Sequence, residues 1–132
     1  MKNENEHSVP LTETIGTTTV STFLDDSLGL QTFRTQVSSA ESLVKADLWS
    51  TEADTLEVAV INHYSGRIQA ADVEIQRWLR ANPRGAPPES ITQAGDIIGI
   101  RAEELAALHA RAPEEAEKVR RKAAASRIAD LS

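Results

Sequence analysis

The chain has 132 residues, a formal net charge of −6 and no cysteine, which bounds it to one domain with a modest core and excludes disulfides, thiolate chemistry and cysteine-based zinc sites. The aromatic residues are Trp49, Trp78, Tyr64, Phe23 and Phe33, so any core must be aliphatic and thin, and partner chains are expected to supply part of its burial. Residues 1–57 hold ten acidic and three basic side chains against ten and eleven in residues 58–132, a balance that argues against general nucleic-acid binding, which needs a basic surface to displace counterions.

Residues 1–37 are rich in Thr and Ser. The segment TTTVSTFLDDSLGLQTFRTQV holds two β-prone runs around DDSLG, whose Asp, Ser and Gly suit a turn. This predicts an extended or β-hairpin arm, with an unstructured tail as the alternative. A short helix is expected next. Ser38 and Glu41 have capping-box spacing, and Leu43, Val44 and Leu48 then share a face. Thr51 and Asp54 repeat the spacing, which predicts the start of the next helix there.

That next helix is the main expected element. Val60, Tyr64, Ile68, Ala71, Ile75 and Trp78 are spaced as one apolar stripe. Glu57, Gln69, Asp72, Gln76, Arg77 and Arg80 lie on the other side. The helix is expected from Thr55 to Ala81, weakened at Gly66 and stopped by ANPRGAPP. A second long helix is expected from Pro88, with Ile91, Ala94, Ile98, Ala102 and Leu105 as its stripe. Gly95, Gly99, Ala102 and Ala106 form a small-residue strip beside it. Pro113 opens a third helix, with Glu114 and Glu115 at its positive end and i,i+4 pairs Glu114/Lys118 and Glu117/Arg121. Its apolar face is mostly Ala, with Val119, Ile128 and Leu131, so it is expected either to fray or to be covered by a partner.

Little in the chain suggests catalysis. His7 lies in the polar start, and neither His63 nor His109 has a second His at helical metal spacing. No Ser sits in a GxSxG turn, and no Gly-rich phosphate loop is present. Glu103–Glu104 and Glu114–Glu115 are adjacent on helices and point in different directions, so they read as solvated faces. No cofactor or metal is expected. No apolar run of about 18 residues could span a membrane, and MKNENEHSVP lacks the apolar region of a signal peptide.

ITQAGDIIGIRAEELAALH resembles a helix-turn-helix pattern, with Gly95, Ile98, Gly99 at the turn, Ile100, Leu105 and Leu108. It would offer Arg101, His109 and Arg111 to DNA. Glu103 and Glu104 oppose this, and we take one continuous helix as the expectation. The basic run EKVRRKAAASR, with Lys118, Arg120, Arg121, Lys122 and Arg127, reads either as a solvated helix face or as a docking tail.

Taken together, residues 43 to about 125 resemble the head–tail connector (adaptor, head-completion) proteins of tailed bacteriophages. The resemblance lies in LVKADLWSTEADTLEVAVINHYSGRIQAADVEIQRWL, APPESITQAGDIIGIRAEELAALHAR and APEEAEKVRRKAA. It implies a mainly α fold: a small helical bundle with two long antiparallel helices, a C-terminal helix and an N-terminal extended or β-hairpin arm. The expected division is an arm at 1–37, a bundle core at 38–112 and a C-terminal docking helix at 113–132. The implied role is structural and non-enzymatic. A dodecameric homo-oligomeric ring in the virion neck would join portal to tail, with DNA passing through without sequence-specific binding.

A closed ring needs two different surfaces on each copy. Gln69, Asp72, Gln76, Arg77 and Arg80 are the expected ring contact, and Val119, Arg120, Arg121, Ile128 and Leu131 the expected portal contact. Tyr64, Ile68, Ile75, Trp78, Gly95, Ile98, Gly99 and Leu105 are the expected helix-packing set. The acidic arm would face the channel or reach the next tail protein. The alternative function is a small helix-turn-helix DNA-binding regulator or antitoxin.

Overall fold

A computed structural model describes residues 11–26, 31–39, 47–81, 86–108, 110–111 and 113–131. These form four strands, β1 (Leu11–Ile15), β2 (Thr18–Asp25), β3 (Thr32–Ser39) and β4 (Asp47–Ala53). Four helices follow: α1 (Leu56–Arg80), α2 (Glu89–Ile98), α3 (Ala102–Leu108) and α4 (Pro113–Leu131). The expectation of a mainly α bundle with an N-terminal arm is therefore corrected. Residues 11–53 build an antiparallel sheet in the order β1-β2-β3-β4, and the fold is mixed α and β.

The sheet is made by period-two alternation. Val20 pairs with Val37, Thr22 with Thr35 and Leu24 with Phe33, and directly paired residues share a face. This inner face packs on α1, with Val20, Val37, Thr18, Thr22 and Thr35 buried. Ser21, Gln36 and Ser50 occupy the other face. β1 and β2 are joined through Gly16 and Thr17, and Gly16 takes φ 63°, a left-handed conformation that costs glycine no Cβ clash. A Cβ there would also lie 2.1 Å from Oε1 of Glu74.

The expected helix over residues 38–48 is corrected where it can be seen, because Ser38 and Ser39 end β3 while Asp47 and Leu48 begin β4. Residues 40–46 lie outside the described residues. So do 27–29 of the expected turn, the break at 82–85, His7 and His109. The start expected at Thr51 is corrected too. Thr51 and Asp54 precede the helix, and Thr55 caps α1 by accepting a hydrogen bond from the Val58 N–H at 3.3 Å. From there α1 runs unbroken through Gly66 to Arg80.

The second long helix is two helices. α2 ends at Gly99, whose φ of 85° is left-handed, and the Ile100 N–H returns to the Gly95 carbonyl at 2.7 Å, the closure of a Schellman-type C-cap. Arg101 then precedes α3. Glu104 accepts a hydrogen bond from the Arg101 N–H at 2.9 Å, half of a capping box. One hydrophobic core runs through the chain. It joins Ile15, Val20 and Val37 of the sheet to Ile68, Ile75 and Trp78 of α1, Ile91 and Ile98 of α2, Leu105 and Leu108 of α3, and Ala116 and Ala124 of α4.

Candidate functional site

Two regions combine chemistry with geometry: a polar layer between the sheet and α1, and the α2–α3 unit with α4 beside it.

In the polar layer, the Thr22 hydroxyl lies 2.7 Å from the Thr35 hydroxyl and 2.7 Å from Nδ1 of His63. Nε2 of His63 lies 3.4 Å from Glu13, which also binds Arg67 at 2.9 Å. One proton arrangement satisfies every group. Thr35 donates to Thr22, Thr22 donates to Nδ1, and the neutral ring donates from Nε2 to Glu13. Burial is the main cause that lowers the His63 pKa below 6.5, and the Arg67 charge adds to it; the hydrogen bond and charge of Glu13 oppose both. The order hydroxyl, imidazole, carboxylate looks like that of an activated nucleophile. Thr22, however, is buried, with both its neighbours inside the protein, so no electrophile reaches its oxygen. We read the cluster as the polar part of the core.

Glu74 completes this layer. It is fully buried and accepts hydrogen bonds from Thr18 at 2.6 Å, Thr17 at 2.9 Å and Arg77 at 2.7 Å. Burial alone would raise its pKa, but the hydrogen bonds from Thr18, Arg77 and Thr17 outweigh it and hold the carboxyl below its ordinary value.

The second region is a helix–turn–helix. Gly95 is where α2 meets the chain that follows: a Cβ there would lie 2.6 Å from the Ile100 carbonyl oxygen and 2.7 Å from Cδ1 of Leu105. Ala94, Gly95, Ile98, Ile100, Leu105 and Leu108 are buried at the junction. Ala102, Glu103, Ala106 and Ala107 of α3 face outward. A groove between α3 and α4 is lined by Gly99, Glu104, Ala107, Arg111, Lys122 and Ser126. Arg111 and Lys122 are exposed in it, and Arg101, Lys118 and Arg127 are exposed elsewhere on or beside the two helices. Arg127 donates to the Ile97 carbonyl at 3.4 Å, which brings its side chain to Gly99 at the turn.

The expected site residues are distributed as follows. Ile68, Ile75, Trp78, Gly95, Ile98 and Leu105 of the packing set are buried, while Tyr64 and Gly99 are exposed. Of the expected ring contacts, Asp72 binds Arg120 and Gln76 donates to Glu117 at 3.0 Å, so both face α4. Gln69 is half-buried, and Arg77 and Arg80 are exposed. Of the expected portal contacts, Arg120 is buried between Asp72 and Glu117. Val119, Ile128 and Leu131 pack against the core, and Arg121 is exposed and paired with Glu117 at 3.2 Å. The expectation that α4 is poorly anchored is thus corrected: a buried arginine pins it to α1.

The residues missed by sequence reasoning are Glu13, Thr22, Thr35 and Glu74. Their one sequence signal is Thr at alternate positions of a strand, which does not reveal what faces them. The chain matches no protein-family model, no curated protein and no solved structure.

Proposed function

We propose that this protein is a DNA-binding regulator that reads duplex DNA with α3 of its helix–turn–helix. The observation that carries this reading is the α2–α3 junction. The left-handed turn at Gly99 and the close approach at Gly95 fix two short helices against each other while leaving the outward side of α3 uncovered. A helix of this kind enters the major groove by its N-terminal end, and its partner crosses the backbone. Arg101 is the natural base contact there, suited to the guanine edge. Glu103 can accept from cytosine, and Ala106 and Ala107 suit thymine methyl groups. Arg111, Lys118, Lys122 and Arg127 are exposed and are the proposed phosphate contacts. Glu104, which counted against DNA binding, accepts from the Arg101 N–H at 2.9 Å and lies 3.8 Å from the Arg101 guanidinium, a pair that base contact by Arg101 would have to exchange. The acidic excess lies in residues 1–57, ahead of the helix–turn–helix in the chain.

The test is selection from a random duplex pool, followed by titration of the enriched sequence between about 50 and 200 mM salt. Four phosphate contacts per chain correspond to a log–log slope of about −3.6. Lys122→Ala is expected to weaken all sequences alike and reduce the slope by about 1, whereas Arg101→Ala relaxes preference at one position. Failure to retain any duplex at the lowest salt would end this reading.

A second reading keeps the head–tail adaptor role, favoured by the exposed apolar residues Leu56, Val58, Val60, Ile61 and Tyr64 of α1, which suit an assembly surface. The fold beneath it differs from the helical bundle that the resemblance implied. Mass spectrometry of DNA-filled particles decides it: an adaptor is present at about the portal's copy number, and a regulator is absent.

A further inference from the structure

The groove between α3 and α4 has a volume of about 530 Å³, within the range of small-molecule sites, about 300–1,000 Å³. Its floor is apolar: Ile100 and Leu108 are buried, and Val119 and Ala123 are half-buried. Its charged side chains are Glu104, Arg111 and Lys122. Glu104 is already engaged, since it accepts from the Arg101 N–H and stands 3.8 Å from the Arg101 guanidinium. Among the described residues, Arg111 and Lys122 have no carboxylate partner. A chain of net charge −6 thus carries an apolar groove whose unpaired charge is positive. The cleft bordered by Tyr64 and Ile97 differs, because it mixes Arg67 and Arg127 with Asp96 and Asp130 and so selects no sign of charge.

We infer that this groove binds a small organic carboxylate with an apolar body. The Arg111 guanidinium offers a carboxylate two parallel N–H donors, and Lys122 adds a point charge. The hydrocarbon body displaces water from the aliphatic floor. A neutral hydrocarbon would leave both cations without a counter-charge, and a bare inorganic anion would leave the floor wet. The site also bears on function. Arg111 and Lys122 are two of the four proposed phosphate contacts, so the carboxylate and the DNA backbone compete for the same charges. The occupant also lies against α3, at Ala107 and Leu108. Such a ligand is therefore an antagonist of duplex binding. This consequence rests on the DNA-binding reading; occupancy of the groove does not.

Isothermal titration calorimetry of the full chain without DNA tests the site, with octanoate and cinnamate as probes. At least one of them is expected to bind saturably. The matched alcohols, octanol and cinnamyl alcohol, lack the charge, and acetate lacks the body; each should bind at least about tenfold more weakly. Arg111→Ala and Lys122→Ala should each raise the dissociation constant about tenfold or more, as loss of a charge-assisted hydrogen bond does. Both residues are exposed, so the circular dichroism spectrum should be unchanged. Arg121→Ala, whose side chain pairs with Glu117 outside the groove, should bind the probe as the wild type does. No saturable binding of either probe would overturn the inference. So would equal binding of the alcohols or acetate, or binding that survives both groove substitutions. The DNA arm is separate. On an enriched duplex, saturating probe should bring the log–log salt slope from about −3.6 to about −1.8, since two of the four contacts are withdrawn. An unchanged slope would overturn the antagonism. A chain that binds a probe but no duplex keeps the groove and loses the DNA-binding reading; a chain that binds duplex but neither probe does the reverse.

Discussion

The two halves of α1 belong to one unbroken helix yet live in different surroundings. From Ile68 to Trp78, the helix is enclosed by the sheet through Gly16, Thr17 and Thr18 and by α2 and α4 on its other sides. Ala70, Ala71, Glu74 and Ile75 are fully buried there. From Leu56 to Tyr64, Ala59 and His63 are buried while Leu56, Val58, Val60, Ile61 and Tyr64 are exposed. The same apolar spacing thus serves as core in one half and as surface in the other. Amphipathic periodicity states where a helix wants to be covered, not what covers it.

The comparison breaks most visibly under truncation. Ile75→Ala should cost about 2–5 kcal/mol in urea unfolding, since it opens a cavity in a packed interior. Val60→Ala should stay within about 0.5 kcal/mol. Equal costs at the two sites would mean that the halves are not differently enclosed.

Filling the enclosed side should come next. Gly95→Ala drives a methyl into the Ile100 carbonyl and Leu105, and overpacking of this kind costs about 1–3 kcal/mol. The same substitution at Gly66, in a helix interior, removes the glycine entropy cost of about 1 kcal/mol and tests how much room the sheet leaves above the first half.

Acid should separate the halves by pH. His63 has a lowered folded pKa, so its contribution is complete above 6.5 and is lost as pH falls below that value. Glu74, also lowered, contributes fully above 4.5 and loses its contribution as pH falls through its folded value. Unfolding free energies measured down a pH series should therefore decline first from His63. His63→Gln should flatten the decline that sets in below pH 6.5, and Glu74→Gln the decline below pH 4.5. A wild-type profile that stays flat as pH falls below 6.5 would show that the His63 ring titrates alike in both states.

The smallest effect belongs to the capping of α3. Glu104→Ala should cost about 0.5–1 kcal/mol and, by freeing the Arg101 backbone, loosen the start of α3. Thermal unfolding would register it as a drop of a few degrees.

Much of the helical half was readable. The span of α1 was read from its apolar stripe and from the proline-rich segment after Ala81, but its cap was expected at Thr51 and is Thr55. Pro113 opens α4 as its helix-starting role predicts. The break at Gly99 was visible as a possible turn, but Ile98, Ala102 and Leu105 fit a continuous stripe equally well. Only the closing hydrogen bond from Ile100 to Gly95 distinguishes the two. β4 carried a signal that went unused: Trp49, Thr51 and Ala53 alternate, and they pair in register with Val37, Thr35 and Phe33. Two capping-box spacings in the same stretch pointed to helix, and short local signals lose to a strand that completes a sheet.

The sequence by itself determined the long helix, the helix openings at prolines, the lack of thiol chemistry and the uneven spread of charge. These depend on neighbours a few residues apart, whose geometry the backbone dictates. The tertiary structure alone decided that residues 11–53 form a sheet under α1, that Glu74 and Arg120 are buried, and that Val60 and Tyr64 are left outside. The two burials depend on partners tens of residues away: Thr18 for Glu74 and Asp72 for Arg120. Burial of a charge is stable only when its partner arrives with it, and no local pattern reports that arrival.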